Sequence, residues 1–323
     1  MLKFTRMAQI LRINSVLSRF TQYAIRNTPR SMKLVTFAHN GRTQIGAVEN
    51  NEIISLSPIA PDMLAFIELG AVGLAEAAHL MAQGGERAPL AECRLLAPIP
   101  APRRNVICLG LNYAAHAAES LRAKGEALAQ AAVPIVFTKA TTAVTGPYDD
   151  IALDTAVTQQ LDWEAELAVI IGRAGKNIPA AEAMSYVYGY TVLNDISARD
   201  LQMAGKQFFK GKSLDGSCPL GPVIVTADRL DPRDLRVTCR VNGVLKQDGR
   251  TSQMIFDIPA TIAYLSLGMT LLPGDIIATG TPEGVGFART PPEFLRPGDV
   301  VACEIEGIGE IRNQIVGGEG MRK

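Results

Sequence analysis

Leu161-Asp162-Trp163-Glu164-Ala165-Glu166-Leu167-Ala168-Val169-Ile170-Ile171, closed by Gly172, decides the reading of this chain. The run is apolar apart from its acids, and its length predicts a buried strand. Side chains at i and i+2 of a strand share a face, so Glu164 and Glu166 project into one space. Asp195 closes a second apolar stretch, Tyr188-Gly189-Tyr190-Thr191-Val192-Leu193-Asn194. Carboxylates converging from strand interiors repel one another unless a cation sits between them. Oxygen ligation with open positions suits Mg2+ or Mn2+ better than zinc. On spacing alone, an edge strand turning Glu164 and Glu166 to solvent is an equal reading.

Composition narrows the class. The 323 residues allow one large domain, or a small one beside a larger one. Hydrophobic residues make up 47%, charged residues 20%, and the formal net charge is zero, which predicts a sizeable core. That balance offers no electrostatic case for nucleic acid or for acidic membranes. The five cysteines (Cys93, Cys108, Cys218, Cys239, Cys303) are scattered and odd in number, as free thiols of a reducing compartment are. No apolar run approaches the roughly 20 residues of a membrane span.

Residues 1–31 stand apart. Lys3, Arg6, Arg12, Arg19, Arg26 and Arg30 fall there, and no acid appears before Glu49. An acid-free, loosely amphipathic segment has the composition of a transit peptide. The alternative is a tail or an upstream start, with Met32 opening the first convincing strand. The second reading is preferred, giving a cytoplasmic expectation with a mitochondrial alternative.

From Met32 the punctuation is that of β structure. Residues 34–38 and 44–48 flank Asn40-Gly41, a type I′ hairpin signal. Residues 53–56 extend the pattern, 60–83 read as helix, and the proline-rich stretch 89–102 reads as a linker. Beyond it, short strands alternate with turns at 105–109, 223–226, 235–241 (ending on Asn242-Gly243), 275–279 and 300–305. One clear helix is expected in this half, over 113 to about 132 and stopped by Pro134. Many short strands at this spacing predict a mostly β fold with some α, a barrel or rolled sheet.

That helix carries His116 and Glu119, which share a face at i, i+3. A carboxylate beside an imidazole fixes its tautomer and raises its basicity, as a water-activating base requires. An exposed surface pair is the plainer reading of those two residues alone. Gly211-Lys212-Ser213 imitates the end of a phosphate loop, but Lys206 occupies the place of the earlier glycine. The Gly-rich stretch 279–286 lacks dinucleotide spacing, although its amides and the Thr281 hydroxyl are suited to approach a carboxylate.

Taken in order, Gly110-Leu111-Asn112-Tyr113-Ala114-Ala115-His116, Asp162-Trp163-Glu164-Ala165-Glu166-Leu167, Asn194-Asp195-Ile196-Ser197-Ala198-Arg199-Asp200-Leu201-Gln202, Lys212-Ser213-Leu214-Asp215 and Thr279-Gly280-Thr281-Pro282 resemble the motif set of the fumarylacetoacetate hydrolase family. The likeness runs from about Pro98 to the C-terminus, and 32–97 resembles, more weakly, the small α+β N-terminal domain of bacterial members. The resemblance implies a mixed β-roll catalytic domain over 98–323, usually a homodimer. It implies Mg2+ or Mn2+ on Glu164, Glu166 and Asp195, with no organic cofactor. It further implies a His116–Glu119 dyad on a mobile lid, Lys212 beside the substrate, and Arg199, Gln202 and Thr281 around it. Two departures bear on the substrate: Ala115 stands where relatives often have Asp, and Lys139-Ala140-Thr141-Thr142 where they have Lys-Pro-Ser-Thr.

Those parts predict hydrolytic C–C cleavage of a 2,4-dioxo acid such as an acylpyruvate. The acid chelates the cation, His116 backed by Glu119 activates water for attack at C4, and the cation with Lys212 holds the departing C3 carbanion as an enolate. The same site also suits a tautomerase, isomerase or decarboxylase of oxaloacetate-like acids. A catalytically silent binder of small dicarboxylates is the contrasting reading, opposed by the complete set of ligands and dyad.

Overall fold

The computed structural model describes residues 32–125 and 132–318. The basic segment 1–31 lies outside the described residues, as does the stretch 126–131 of the expected long helix.

The run at 161–171 lies at the centre of the architecture, though not as one unbroken strand. Leu161–Asp162 pairs antiparallel with Ser197–Ala198, the chain leaves the ladder at Trp163 and Glu164, and Ala165–Ile171 forms the strand proper. Every residue of that strand is buried. Leu167, Val169 and Ile171 enter one hydrophobic cluster, while Ala168 and Ile170 enter another. Burial on both faces accounts for the continuous apolar run and leaves Glu166 as its single charge.

Twelve strands form the large sheet, and its path runs Arg87–Pro89, Glu52–Ser55, Arg42–Glu49, Lys33–His39, Cys218–Thr226, Val187–Asn194, Ala165–Ile171, Ile276–Ala278, Val106–Gly110, Ile135–Lys139. The two ends of this path are not paired to each other, so the roll is open. A five-stranded sheet, including Arg236–Val241, Val300–Ile305 and Gly309–Gly317, supplies Val237, Cys239, Val301 and Ile311 to the first cluster. On the other face, Met63, Phe66, Ile67 and Ala77 from the helical stretch pack into the second cluster. The result is the mostly β, rolled architecture expected.

Local chemistry explains the details. Asn40 and Gly41 have φ of 49° and 75°, and Asn242 and Gly243 have 51° and 79°, the double positive φ of a type I′ turn. The helix expected over 113–132 runs only Ala114–Lys124, because Gly125 takes up the left-handed conformation at φ 70°. It is also not alone. Ile258–Ser266 is helical, capped by Asp257, whose carboxylate accepts from the Ala260 amide at 2.8 Å, with proline in the first turn. The helical reading of 60–83 divides at Leu69–Gly70 into Met63–Glu68 and Gly70–Ala82.

The proline-rich stretch read as a linker contains Arg94–Leu96, which pairs with Lys33–His39. Lys33 and Leu34 pair in turn with Val225 and Ile224, and the Thr36 hydroxyl donates to the Pro98 carbonyl at 2.6 Å. The large sheet thus crosses position 98 without interruption. Deleting 32–97 would bare the Cys218–Thr226 strand edge together with Ile224 and Leu220, which are fully buried in the intact chain. A fragment of residues 98–323 is therefore expected to aggregate on expression. A monodisperse, cooperatively melting fragment in size-exclusion chromatography would contradict this.

Candidate metal centre and active site

The break at Trp163–Glu164 shapes the site. Freed from the ladder, Glu164 is fixed by its own backbone: its amide donates to Asn194 Oδ1 at 3.0 Å, and its carbonyl accepts from the Asp195 amide at 2.8 Å. These bonds tie Glu164 to the end of Val187–Asn194, so Asp195 emerges beside it. Glu166, Glu164 and Asp195 each offer an oxygen within 4.8 Å of the others, and all three are buried. The solvent-facing alternative is thereby excluded.

Cations converge on the cluster. Lys212 Nζ lies 2.6 Å from Glu164 Oε2 and 2.6 Å from Asp195 Oδ2. Arg199 Nη2 donates to Glu164 Oε1 at 2.7 Å, and its Nε to Asp162 Oδ2 at 2.8 Å. Lys139 Nζ stands 2.8 Å from Asp195 Oδ1 and donates to the Ile196 carbonyl at 3.0 Å. Lys212 reaches this place through a tight packing of two short helices. A Cβ on Gly211 would lie 2.4 Å from the Gln202 amide nitrogen, so glycine is required before the lysine.

Glu166 is the exception. Among the described residues its only partner is the Gly280 amide, which donates to Oε2 at 2.8 Å. Burial, then the charges of Asp195 and Glu164, push its carboxyl well above the usual range, against the pull of Lys212 and Gly280. Burial pushes Glu164 up as well, but there Lys212, Arg199 and His116 outweigh it and hold the carboxyl well below the ordinary value. Burial lowers Lys212, yet Asp195 and Glu164 leave it raised and protonated. With Arg199 matched by Asp162, two lysines face three carboxylates. With all three carboxylates ionised, one negative charge would stand uncompensated in a buried site, which is what drives the Glu166 carboxyl up when no cation is present, and every donor is a hard oxygen. The residues fit a divalent cation such as Mg2+ or Mn2+.

The dyad faces this cluster. His116 Nδ1 lies 3.0 Å from Glu119 Oε1, with Ser120 Oγ at 3.5 Å, and His116 is 5% exposed. Glu119 is pinned as well, since both its oxygens accept from the Gly284 amide at 3.0 Å. The helix begins correctly because Leu111 takes φ 53° and Asn112 is locked. The Asn112 amide donates to Thr279 and Phe256 carbonyls at 2.8 and 2.9 Å, and its oxygen accepts from the Phe256 amide at 2.8 Å. The cavity between helix and cluster measures about 40 Å³, and Glu164, Glu166, His116, Arg199, Gln202 and Lys212 line it. Leu111, Phe208 and Phe287 add apolar surface to the same lining.

All nine residues singled out in the sequence lie at this one site. Thr281 lines the cavity, but its hydroxyl donates to the Ala165 carbonyl at 2.8 Å and accepts from Gln247 Nε2 at 2.7 Å. Gln202 is oriented by Arg199 Nη1, which donates to its Oε1 at 2.9 Å. Sequence reasoning missed Lys139 as an ion partner, Asp162 as the partner of Arg199, Asn112 as the anchor of the dyad helix, and Gln247. Lys139 did carry a signal: it ends the apolar stretch Ile135-Val136-Phe137-Thr138, where a buried lysine demands a carboxylate.

With the geometry in hand, comparison with known proteins becomes informative. Residues 105–316 match the profile described as "Fumarylacetoacetate (FAA) hydrolase C-terminal", and residues 32–98 the profile "Rv2993c-like, N-terminal". The chain belongs to the fumarylacetoacetate hydrolase family. A mitochondrial oxaloacetate tautomerase of Bos taurus is 43% identical over 298 residues, 89% of this chain and 92% of that protein. An oxaloacetate tautomerase of Bacillus subtilis is 52% identical over 227 residues, covering 70% and 74%. Among solved structures, a fumarylacetoacetate hydrolase from Exiguobacterium antarcticum is 44% identical with a TM-score of 0.79, covering 89% of this chain and all of that one. A maleylpyruvate hydrolase from Sphingobium, in complex with manganese(II) and pyruvate, is 32% identical with a TM-score of 0.73 and equal coverage. The family member is thus an enzyme with a buried carboxylate triad suited to a divalent metal, and a relative holds manganese.

The raised Glu166 gives a pH signature. In metal-stripped protein the folded carboxyl retains a proton that the unfolded chain releases near pH 4.5, so stability falls as pH rises from there. A chelator-treated sample should therefore lose melting temperature with rising pH relative to Glu166→Gln, and saturating Mn2+ should remove that difference. A wild-type profile parallel to Glu166→Gln without metal would show that Glu166 is not perturbed.

Proposed function

We propose that this protein is a divalent-metal-dependent tautomerase of oxaloacetate or a closely similar short 2-oxo dioate, interconverting its keto and enol forms at C3. The observation that carries the reading is the single buried imidazole, His116, set against the carboxylate triad across one small cavity. The oxaloacetate tautomerase names of relatives up to 52% identical point the same way.

The residues divide the work. A cation on Glu164, Glu166 and Asp195 would polarise the 2-oxo carbonyl and lower the cost of charge on its oxygen. Glu119 holds the proton on His116 Nδ1, which leaves Nε2 to accept the proton from C3 and pass it to the C2 oxygen in forming the enol, and in the reverse direction to take the enol O–H proton and deliver it to C3. Lys212 donates a hydrogen bond to the C2 oxygen as charge grows, and stays protonated because Glu164 and Asp195 face it. The Gln202 amide, its oxygen already held by Arg199, turns N–H donors toward the cavity and so favours an acceptor such as the second carboxylate. Tautomerisation needs no bound water, only a proton moved between C3 and oxygen.

The second reading, hydrolytic C–C cleavage of a 2,4-dioxo acid, keeps support from the pinned dyad. An imidazole oriented by Glu119 and Gly284 is equally the base that water activation requires. The related maleylpyruvate hydrolase is named for such chemistry.

We also read the chain as a self-associating protein. The large sheet ends on Ile135–Lys139, an edge that leaves Ile135 and Val136 exposed and favours pairing with a second copy. Mitochondrial residence draws support from the names of several relatives. One of them, from Xenopus laevis, is 40% identical across 98% of this chain.

The decisive assay follows loss of enol absorbance on adding enol-oxaloacetate to enzyme with Mg2+ or Mn2+, beside cleavage of acylpyruvates. Wild type should accelerate ketonisation well beyond the metal alone, and His116→Ala should slow it by about 10²–10⁴. Acylpyruvate cleavage without any acceleration of ketonisation would reverse the order of the two readings.

A further inference from the structure

Asp162 has no part in the chemistry above, yet it is fully buried and makes more hydrogen bonds than any metal ligand. Its Oδ1 accepts from the Trp163 amide at 2.8 Å and the Gly286 amide at 2.7 Å. Its Oδ2 accepts from the Phe287 amide at 3.0 Å and from Arg199 Nε at 2.8 Å. The approach of the 284–287 backbone is close enough to dictate sequence. A Cβ on Gly286 would lie 2.6 Å from Asp162 Oδ1 and 2.1 Å from the Glu293 carbonyl oxygen. Trp163 adds a second clasp, its Nε1 donating to the Gly284 carbonyl at 3.1 Å.

The same loop is the platform of the dyad, because the Gly284 amide holds both oxygens of Glu119. Phe287, next to the clasped amides, stacks on the Arg199 guanidinium at 4.4 Å. Arg199 in turn grips Glu164. A continuous path therefore runs from Glu164 through Arg199 and Asp162 into the 284–287 loop, and from Gly284 into Glu119 and His116.

We infer that Asp162 is a positioning residue that clasps the 284–287 loop against Arg199, and that this clasp fixes the docked position of the His116–Glu119 helix over the metal centre. A carboxylate is needed for a countable reason. Both oxygens receive two donors each, so an isosteric amide in either orientation sets its N–H groups against two other donors. Arg199 then turns or leaves Phe287, the loop loosens, and Glu119 loses the amide that pins it. The metal ligands keep their backbone anchors throughout. The kinetic consequence rests on the dyad assignment made above, whereas the structural half needs no substrate.

The test is amide hydrogen exchange of the full-length, Mn2+-loaded protein, followed in peptides covering 282–288 and 114–124. Asp162→Asn should speed exchange in both segments by roughly tenfold or more while Mn2+ stoichiometry, read by paramagnetic resonance, stays complete. Trp163→Phe, which removes the indole donor and some buried ring volume but leaves Asp162 intact, should give the same pattern more weakly and stands in if Asp162→Asn does not fold. With substrate, kcat should fall and KM hold steady. Faster exchange confined to 282–288, unchanged exchange in both segments, or a loss of activity matched by lost Mn2+ sites would each overturn the inference. Absence of turnover in wild type with the exchange pattern intact would count against the proposed reaction, not against the clasp.

Discussion

Three carboxylates buried within 4.8 Å of one another are the constraint from which the rest of the site follows. Taking even one such group out of water is costly, and like charges add to the cost. The chain answers with Lys212 and Lys139 on two of them and a single backbone amide on the third. That incomplete compensation makes the site a cation receptor. Elements otherwise far apart in sequence are drawn into one place by it: the end of the Ile135–Lys139 strand, the short helix ending at Lys212, and the turn at Gly280.

The dyad is held by a different logic. Its helix is short and rich in alanine, so apolar burial gives it little purchase; polar locks before its start and midway along it do the holding. Asn112 bonds three backbone groups at the entrance, and Glu119 takes the Gly284 amide further along. Such locks are directional, and they place an imidazole more sharply than greasy packing does. They also explain why His116 reads as an ordinary surface histidine when the sequence is taken alone.

Much of this was legible beforehand because it is local. The Asn-Gly turns, the buried run around Glu166, the emergence of Asp195 from an apolar stretch and the His116–Glu119 spacing all follow from periods of two or of about 3.6. What escaped was non-local. Nothing near Asp162 announces Gly286, and nothing near Lys139 announces Asp195, since each pair is joined only by the fold. The strand break at Trp163 was hidden for the opposite reason: Trp163 and Glu164 are as buried as the strand residues on either side, and only their backbone, bonded outside the ladder, distinguishes them. The helix Ile258–Ser266 was different, for its Asp257 cap and following proline were visible signals passed over.

Charged and apolar side chains share the lining of the cavity, and the difference in how the fold holds them has a historical consequence. Glu164, Glu166 and Asp195 come from strand ends and lean on shared lysines, Arg199 or a backbone amide, so a change at one unbalances its neighbours. Leu111 and Phe208, by contrast, line the cavity from a turn and from the entry to a short helix. Drift in those positions reshapes the cavity while the charged cluster is inherited whole. A lineage built this way diversifies around a constant charged cluster, and relatives of this chain carry both tautomerase and hydrolase names.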